Sequence, residues 1–142
     1  MVLMIKNKFI QFYKEVARST SHLSYARRTK VGAIIVKDDR IISYGYNGTP
    51  AGEDNNCEYL HSNGYDLVTK DCVIHAEDNA LRKLEGEDLT NASIFITLAP
   101  CINCAKLIIN SGITNLYYEE IYRSLDGLHH LEKNSAIIIQ KI

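Results

Sequence analysis

The sequence has no excess of charge of one sign, no long apolar run and no tryptophan. Lysine and arginine total 16 against 17 aspartate and glutamate, so no net basic field would concentrate nucleic acid, and no acidic excess predicts disorder. No segment approaches the roughly 20 apolar residues of a membrane span, and lysines interrupt the apolar start MVLMIKNKF too early for a signal peptide. We therefore expect a cytosolic chain with a small-molecule or protein partner, and neither a membrane nor a nucleic acid.

Internal repeats and low-complexity linkers are also missing, and this bears on domain organisation. The 142 residues are enough for one ordinary domain that buries about two thirds of its unfolded surface. We therefore predict a single domain over residues 1–142.

The periodicity of apolar residues predicts an alternating order of helices and strands. A packed first helix that ends near STSHLS is predicted from apolar residues at three- and four-residue steps: Ile5, Phe9, Phe12, Tyr13 and Val16. Two Val- and Ile-rich runs around KDDR predict a β-hairpin, and a long polar segment over residues 53–70 follows. The remaining predicted elements are a helix over 75–84, the strand SIFITLA, a helix entered through Pro100 and left through Gly112, the strand TNLYY, a weaker helix over 124–134, and the strand SAIIIQKI.

Such alternation predicts an α/β fold with a central mixed sheet and helices on both faces, because strand–helix–strand units normally make parallel crossovers. In this arrangement, the helices that start near His75 and Pro100 can lie side by side.

Three residues on those two helices have the chemistry of a metal site. Cys101 and Cys104 lie on one face at the start of a helix, whose dipole favours thiolates. His75 can add an imidazole nitrogen from the neighbouring helix. The resulting Cys2His set suits Zn2+ and leaves one tetrahedral position for water, as in catalytic zinc sites.

Glu77 follows His75 by two residues, so it is badly placed to chelate beside it and well placed to exchange a proton with a water at the metal. A CxxC pair alone could be a redox pair or half of a structural zinc site, and a lone histidine before a helix is often structural. H-x-E followed by P-C-x-x-C is much more specific, because it is the signature of zinc-dependent nucleobase deaminases.

With these motifs, the chain resembles the cytidine deaminase-like family and, within it, the deoxycytidylate (dCMP) deaminases, including those of phages. The blocks that carry the resemblance are VGAIIV, GYNGTPAG, HAEDNAL, APCINCAKLIINSGI and YYEEIY, which cover the chain from about residue 30 to 122. The resemblance implies a three-layer α/β/α fold with a central mixed five-stranded sheet. It also implies hydrolysis of dCMP to dUMP and ammonia, with zinc on His75, Cys101 and Cys104, and Glu77 as acid and base.

The resemblance further implies a set of substrate-binding residues. Asn47 would bind the deoxyribose 3′-hydroxyl, Arg28 and Ser24 would lie near the 5′-phosphate, Tyr122 would cover the opposite side, and the Ala76 N–H would contact the base. A different interpretation of Arg28 is that it forms a solvated cluster with Arg27 and Lys30.

Regulation is implied as well, by the segment GYNGTPAG. In the deoxycytidylate deaminases it resembles, this segment lies at a subunit interface of a homohexamer, where dCTP activates and dTTP inhibits. By resemblance, an effector nucleotide, accompanied by Mg2+, would contact Gly45, Tyr46, Asn47 and Gly48.

Other possibilities stay open. Cys57, His61 and Cys72, with His22, could hold a second zinc, although Ala26 stands where one phage type has a cysteine; otherwise the cysteines are buried thiols. The enzyme could deaminate both dCMP and dCTP. A nucleic-acid deaminase is disfavoured by the neutral charge and the missing tryptophan, and a non-catalytic zinc protein would not explain Glu77.

Overall fold

The computed structural model describes residues 5–142, and its elements follow the predicted alternation. In chain order they are α1 (Asn7–Ser21), β1 (Gly32–Lys37), β2 (Arg40–Tyr46), β3 (Glu58–Leu60), β4 (Leu67–Thr69), α2 (Ala76–Arg82), β5 (Ser93–Leu98), α3 (Ile102–Ser111), β6 (Asn115–Glu120), α4 (Asp126–Asn134) and β7 (Ile138–Lys141).

Five of the strands form one mixed sheet in the order β2-β1-β5-β6-β7. β1 runs antiparallel to both β2 and β5, whereas β5, β6 and β7 are parallel to one another. The parallel half is the part connected through α3 and α4, as expected for strand–helix–strand returns. The prediction of a mixed sheet is confirmed.

Alternate residues of β1 belong to two separate hydrophobic clusters, one on each face of the sheet. Ile34 and Val36 pack with Ile10, Tyr13 and Ala17 of α1. Ala33 and Ile35 belong to the larger cluster on the other face, to which α2, α3 and α4 contribute Ala76, Ala80, Ala105, Ile108, Leu128 and Leu131. Because side chains alternate along a strand, this pattern produces the three-layer α/β/α sandwich that the resemblance implied.

The buried face of α1 differs from the predicted one. Ile10, Tyr13 and Ala17 are buried, whereas Phe9 and Phe12 are 42% and 50% exposed. The prediction that both phenylalanines pack into the core is wrong. The helix is rotated so that small Ala17 faces the sheet, where its carbonyl lies against Gly32 of β1.

The predicted hairpin turn at KDDR is confirmed and has a specific geometry. Asp38 and Asp39 connect β1 to β2 with φ angles of 52° and 61°. Two successive positive φ angles are typical of the type I′ turn, whose twist matches that of the flanking strands.

The polar segment over residues 53–70 contains a second, small hairpin that the sequence pattern did not predict. Glu58 pairs with Thr69 and Leu60 with Leu67 in a two-stranded sheet separate from the main one. The connection is ordered by Asn63, whose side-chain oxygen accepts the N–H groups of Tyr65 and Asp66. This hairpin forms part of the wall of the candidate site.

Within residues 5–142, no helix combines the length and the hydropathy that crossing a membrane requires.

Candidate active site

The three candidate metal ligands meet where α2 and α3 begin. His75 is the N-cap residue of α2, Cys101 is the N-cap residue of α3, and Cys104 lies in the first turn of α3. His75 Nδ1 is 3.5 Å from Cys101 Sγ and 3.3 Å from Cys104 Sγ. The predicted side-by-side position of the two helices is thus confirmed.

The start of α3 lies two residues later than predicted. Pro100 precedes the helix and is not in its first turn, because Cys101 has an extended backbone and its Sγ accepts the N–H of Cys104. The thiol thereby acts as the cap of the helix while it points toward Cys104. Gly127 of α4 fixes this turn from the other side, since a Cβ there would lie 2.0 Å from the Pro100 carbonyl oxygen.

The geometry of the triad fits a zinc ion. Zn–S bonds of about 2.3 Å and Zn–N bonds of about 2.0 Å in a tetrahedron place nitrogen and sulfur about 3.5 Å apart, close to the distances observed. In the part of the chain that the structure describes, His75, Cys101 and Cys104 are the only three His, Cys, Asp or Glu residues whose ligand atoms all lie within 4.8 Å of one another. The suggested set of Cys57, His61 and Cys72 is not brought together in this way.

Hydrogen bonding within the triad stabilises one thiolate. The hydrogen bond with Cys104, assisted by that with His75, lowers the pKa of the Cys101 thiol to about 4. The bond between the two cysteines also raises the pKa of Cys104, and the bond with Cys101 raises the pKa of His75. Cys101 therefore supplies a thiolate, and a divalent cation would bind the three residues in exchange for the protons that Cys104 and His75 hold.

Glu77 is the buried acid of the site. Its side chain lies in the first turn of α2, only 4% of the residue is exposed, and it lines the same cavity as His75 and Cys101. Burial raises the pKa of the Glu77 carboxyl above its ordinary value. A carboxyl that is less acidic than usual holds a proton more readily, which a group that accepts and returns protons requires.

His75, Glu77 and Cys101 line a cavity of about 370 Å³, here called the first cavity. Of the predicted substrate-binding residues, Arg28, Asn47, Ala76 and Tyr122 line it. Ser24 does not; it is buried, and its hydroxyl donates to the Asn47 carbonyl oxygen at 2.8 Å and accepts the N–H of Ala26. A role for Ser24 in substrate binding stays a prediction.

The side chain of Asn47 forms two hydrogen bonds with the backbone of the segment before β1. Its Oδ1 accepts the N–H of Val31 at 2.9 Å, and its Nδ2 donates to the Thr29 carbonyl oxygen at 2.8 Å. One amide hydrogen and one lone pair are left for a ligand, because the side-chain amide has two of each. Asn47 therefore shapes the cavity wall in addition to any contact with a substrate.

Sequence reasoning missed several residues of the first cavity. Glu58 and Thr69 come from the unpredicted β3–β4 hairpin, and Arg123 follows the predicted Tyr122. The Arg123 guanidinium lies 5.4 Å from the centre of the Tyr122 ring, within cation–π range. Arg123 could have been predicted from the sequence, because it is a charged residue next to the predicted site residue Tyr122. No neighbouring residue in the sequence indicates that Glu58 belongs to the site.

A second cavity of about 320 Å³ is also lined by Asn47. All four residues predicted to contact an effector, Gly45, Tyr46, Asn47 and Gly48, line it. Asn47 and the buried Cys57 line both cavities, so the two spaces share a wall. Lys83 contributes a cation to the second cavity.

Comparison with protein families gives a match to the cytidine and deoxycytidylate deaminase zinc-binding region over residues 6–120. The matched range contains all three metal-site residues and Glu77.

Individual relatives agree with this match. The chain is 37% identical to the deoxycytidylate deaminase of Mycobacterium phage D29, in an alignment that covers 76% of this chain and 91% of the relative. It is 33% identical to the deoxycytidylate deaminase of Enterobacteria phage T4, over 87% and 84% of the two chains. Its fold is similar to that of the dCMP deaminase from cyanophage S-TIM5, solved in complex with dCMP and dUMP, with a TM-score of 0.88, 34% identity, and coverage of 98% and 100%.

Proposed function

The chain belongs to the family of zinc-binding cytidine and deoxycytidylate deaminases, and on this premise we propose that it hydrolyses dCMP to dUMP and ammonia. The observation that carries the proposal is the cavity in which His75 and Cys101 of the His–Cys–Cys triad and the buried Glu77 meet Arg28. Relatives named as dCMP deaminases match this chain nearly end to end, which favours dCMP over other cytosine-containing substrates.

Zinc is the cofactor that His75, Cys101 and Cys104 would hold. When bound, zinc supplies a Lewis acid that brings the pKa of a water molecule close to neutrality. The role of the protein is to fix three ligands and leave room for that water inside the cavity.

Glu77 moves the protons of the reaction. Its carboxylate accepts a proton from the attacking water and delivers it to ring nitrogen N3, while the water oxygen adds to C4 of the cytosine. It then transfers the remaining proton of that oxygen to the amino group on C4, the C4–N bond breaks and ammonia leaves. The raised pKa of Glu77 suits this role, because a less acidic carboxyl holds a proton more readily between accepting it and passing it on.

Other residues of the first cavity hold the substrate in place. The N–H of Ala76 has no acceptor within its own helix, because it lies in the first turn of α2, and it is available to the base. Tyr122 covers one side of the ring, the remaining amide groups of Asn47 meet the 3′-hydroxyl, and the Arg28 guanidinium binds the 5′-phosphate through charge-assisted hydrogen bonds.

An effector site is part of the proposal. We assign dCTP with Mg2+, and dTTP, to the second cavity, which is lined by Gly45, Tyr46, Asn47 and Gly48. We propose that the protein is a homohexamer. It acts in the cytoplasm, which is that of the host if the chain is phage-encoded. The shared wall at Asn47 supports coupling to the first cavity, and Lys83 provides a cation for a phosphate chain.

A substrate panel tests the proposed function. Purified protein with its zinc is assayed for ammonia release from dCMP, dCTP, cytidine and a single-stranded cytosine-containing oligonucleotide. We expect dCMP to have the highest kcat/KM. Faster turnover of dCTP would favour a bifunctional enzyme, turnover of the oligonucleotide alone would favour a nucleic-acid deaminase, and turnover of none would favour a non-catalytic zinc protein.

A further inference from the structure

Glu58 is a carboxylate buried in the wall of the first cavity, and the proposed chemistry does not use it. Only 1% of the residue is exposed, although a charged side chain is almost never fully buried unless it is paired. It is the first residue of β3 and lines the same cavity as His75 and Glu77.

The partners of Glu58 are two consecutive backbone amides. Its Oε2 accepts the N–H of Arg27 at 2.9 Å and the N–H of Arg28 at 3.0 Å. Its Oε1 lies 3.5 Å from Arg27 Nε, an ion-pair distance, but makes no hydrogen bond within the described residues. The carboxylate thus holds the backbone of a segment that belongs to neither a helix nor a strand.

The side chain of Arg28 is held by the same hairpin. Arg28 Nη1 donates to Thr69 Oγ1 at 3.1 Å, and Thr69 is paired directly with Glu58 across β3 and β4. One cross-strand pair therefore fixes Arg28 at both ends, its backbone through Glu58 and its guanidinium through Thr69. Arg28, Glu58 and Thr69 all line the first cavity.

We propose that Glu58 is a positioning residue for phosphate recognition and acts through Arg28. This inference rests on the proposed function, since it assumes that Arg28 binds the 5′-phosphate of the substrate. The backbone N–H groups of Arg27 and Arg28 already donate to Glu58, so the Arg28 guanidinium is the group that binds the phosphate. The β3–β4 hairpin determines the direction of that guanidinium. A carboxylate suits this task because hydrogen bonds to an ionised acceptor are shorter and about twice as strong as neutral ones.

The test compares dCMP with deoxycytidine, which lacks the phosphate, in Glu58→Gln, Arg28→Ala and the double variant. Glu58→Gln keeps the volume and removes the charge. We expect it to raise KM for dCMP about tenfold, with kcat, zinc content and KM for deoxycytidine each changed by less than about twofold. In the Arg28→Ala background, Glu58→Gln should change KM for dCMP by less than a further factor of about two. Glu85→Gln, which makes the same change at an exposed position, is the matched control and should leave KM unchanged for both substrates.

Thr69→Val provides a second route to the same answer, because it removes only the hydroxyl that holds the guanidinium. It should also raise KM for dCMP and leave KM for deoxycytidine unchanged. This result can be obtained even if Glu58→Gln does not fold. Equal effects of Glu58→Gln on both substrates, a full effect without Arg28, or a Thr69→Val variant with wild-type KM values would each overturn the proposal. Wild-type protein that does not deaminate dCMP would instead overturn the proposed function, and this inference with it.

Discussion

Cys101 and Cys104 can share one metal ion because Cys101 lies at the N-cap of α3, where its extended backbone turns the thiol toward the first helical turn. His75 occupies the equivalent position on α2. The sequence predicts this triad well, since ligand identity and spacing determine it once two neighbouring helices begin at the same end of the sheet.

Loss of either cysteine should remove the metal. We expect Cys101→Ala and Cys104→Ala to lose most of their zinc and their deaminase activity, because two protein ligands bind zinc much more weakly than three. Zinc per chain is measured by atomic absorption after gel filtration. Cys72→Ala is the control, since Cys72 is exposed and lies outside the triad. Full zinc in a triad variant would refute the ligand assignment.

Arg28 should matter only for substrates that carry a phosphate. Arg28→Ala is expected to raise KM for dCMP by about 10- to 100-fold, the range expected for a lost charge-assisted contact, and to leave deoxycytidine nearly unchanged. Lys30→Ala is the control, because Lys30 is exposed and does not line the first cavity. Equal effects of Arg28→Ala on nucleotide and nucleoside would exclude Arg28 from the phosphate site and favour a solvated cluster.

Among the elements, the strands of the main sheet are predictable because their residues alternate between two buried faces, as Ala33 to Val36 do. The β3–β4 hairpin is not predictable in the same way. Its strands have three residues each and its stability comes from Asn63 and from contacts with distant segments, so no periodicity marks it. Glu58 could not be assigned from sequence for that reason, since its partners Arg27 and Arg28 lie 31 and 30 positions away.

The rotation of α1 has a similar cause. Phe9 and Phe12 are more hydrophobic than Ala17, yet the close approach of α1 to Gly32 selects a small residue at the contact. A sequence pattern ranks residues by hydrophobicity and does not report the distance between layers.

The contact between β2 and α2 is tight enough to test by a single methyl group. A Cβ at Gly45 would lie 2.3 Å from the Ala76 carbonyl oxygen and 2.5 Å from the Ala80 nitrogen, both of which are backbone atoms. We expect Gly45→Ala to lower the free energy of unfolding by about 1–3 kcal/mol, because strand and helix must move apart. Gly48→Ala, where nothing lies within 4 Å, should change it by less than about 0.5 kcal/mol in the same urea titration. Equal stability of the two variants would contradict the close approach.

For the assembled protein, the shared wall of the two cavities leads to a prediction about regulation. We expect sigmoidal dCMP saturation that becomes hyperbolic with dCTP and Mg2+ and is suppressed by dTTP, with a coupling free energy of about 1–3 kcal/mol. Lys83→Ala should weaken activation by dCTP, because it removes a cation from the second cavity. Hyperbolic kinetics that respond to neither nucleotide, in a particle the size of a monomer or dimer, would refute the regulatory proposal and leave the zinc chemistry intact.

The most direct measurement is the rate of dUMP formation by Glu77→Gln together with its zinc content. The substitution keeps the size of the side chain and all three metal ligands, and removes the group that moves protons. We predict zinc occupancy equal to that of the wild type and a loss of about 10²- to 10⁴-fold in kcat, the usual contribution of a general acid–base residue. Asp78→Asn, on the next residue of α2, is the control and should keep wild-type kcat because Asp78 pairs with Arg82 on the helix surface. A zinc-loaded Glu77→Gln protein that converts dCMP at the wild-type rate would contradict the assignment of Glu77 and the mechanism built on it.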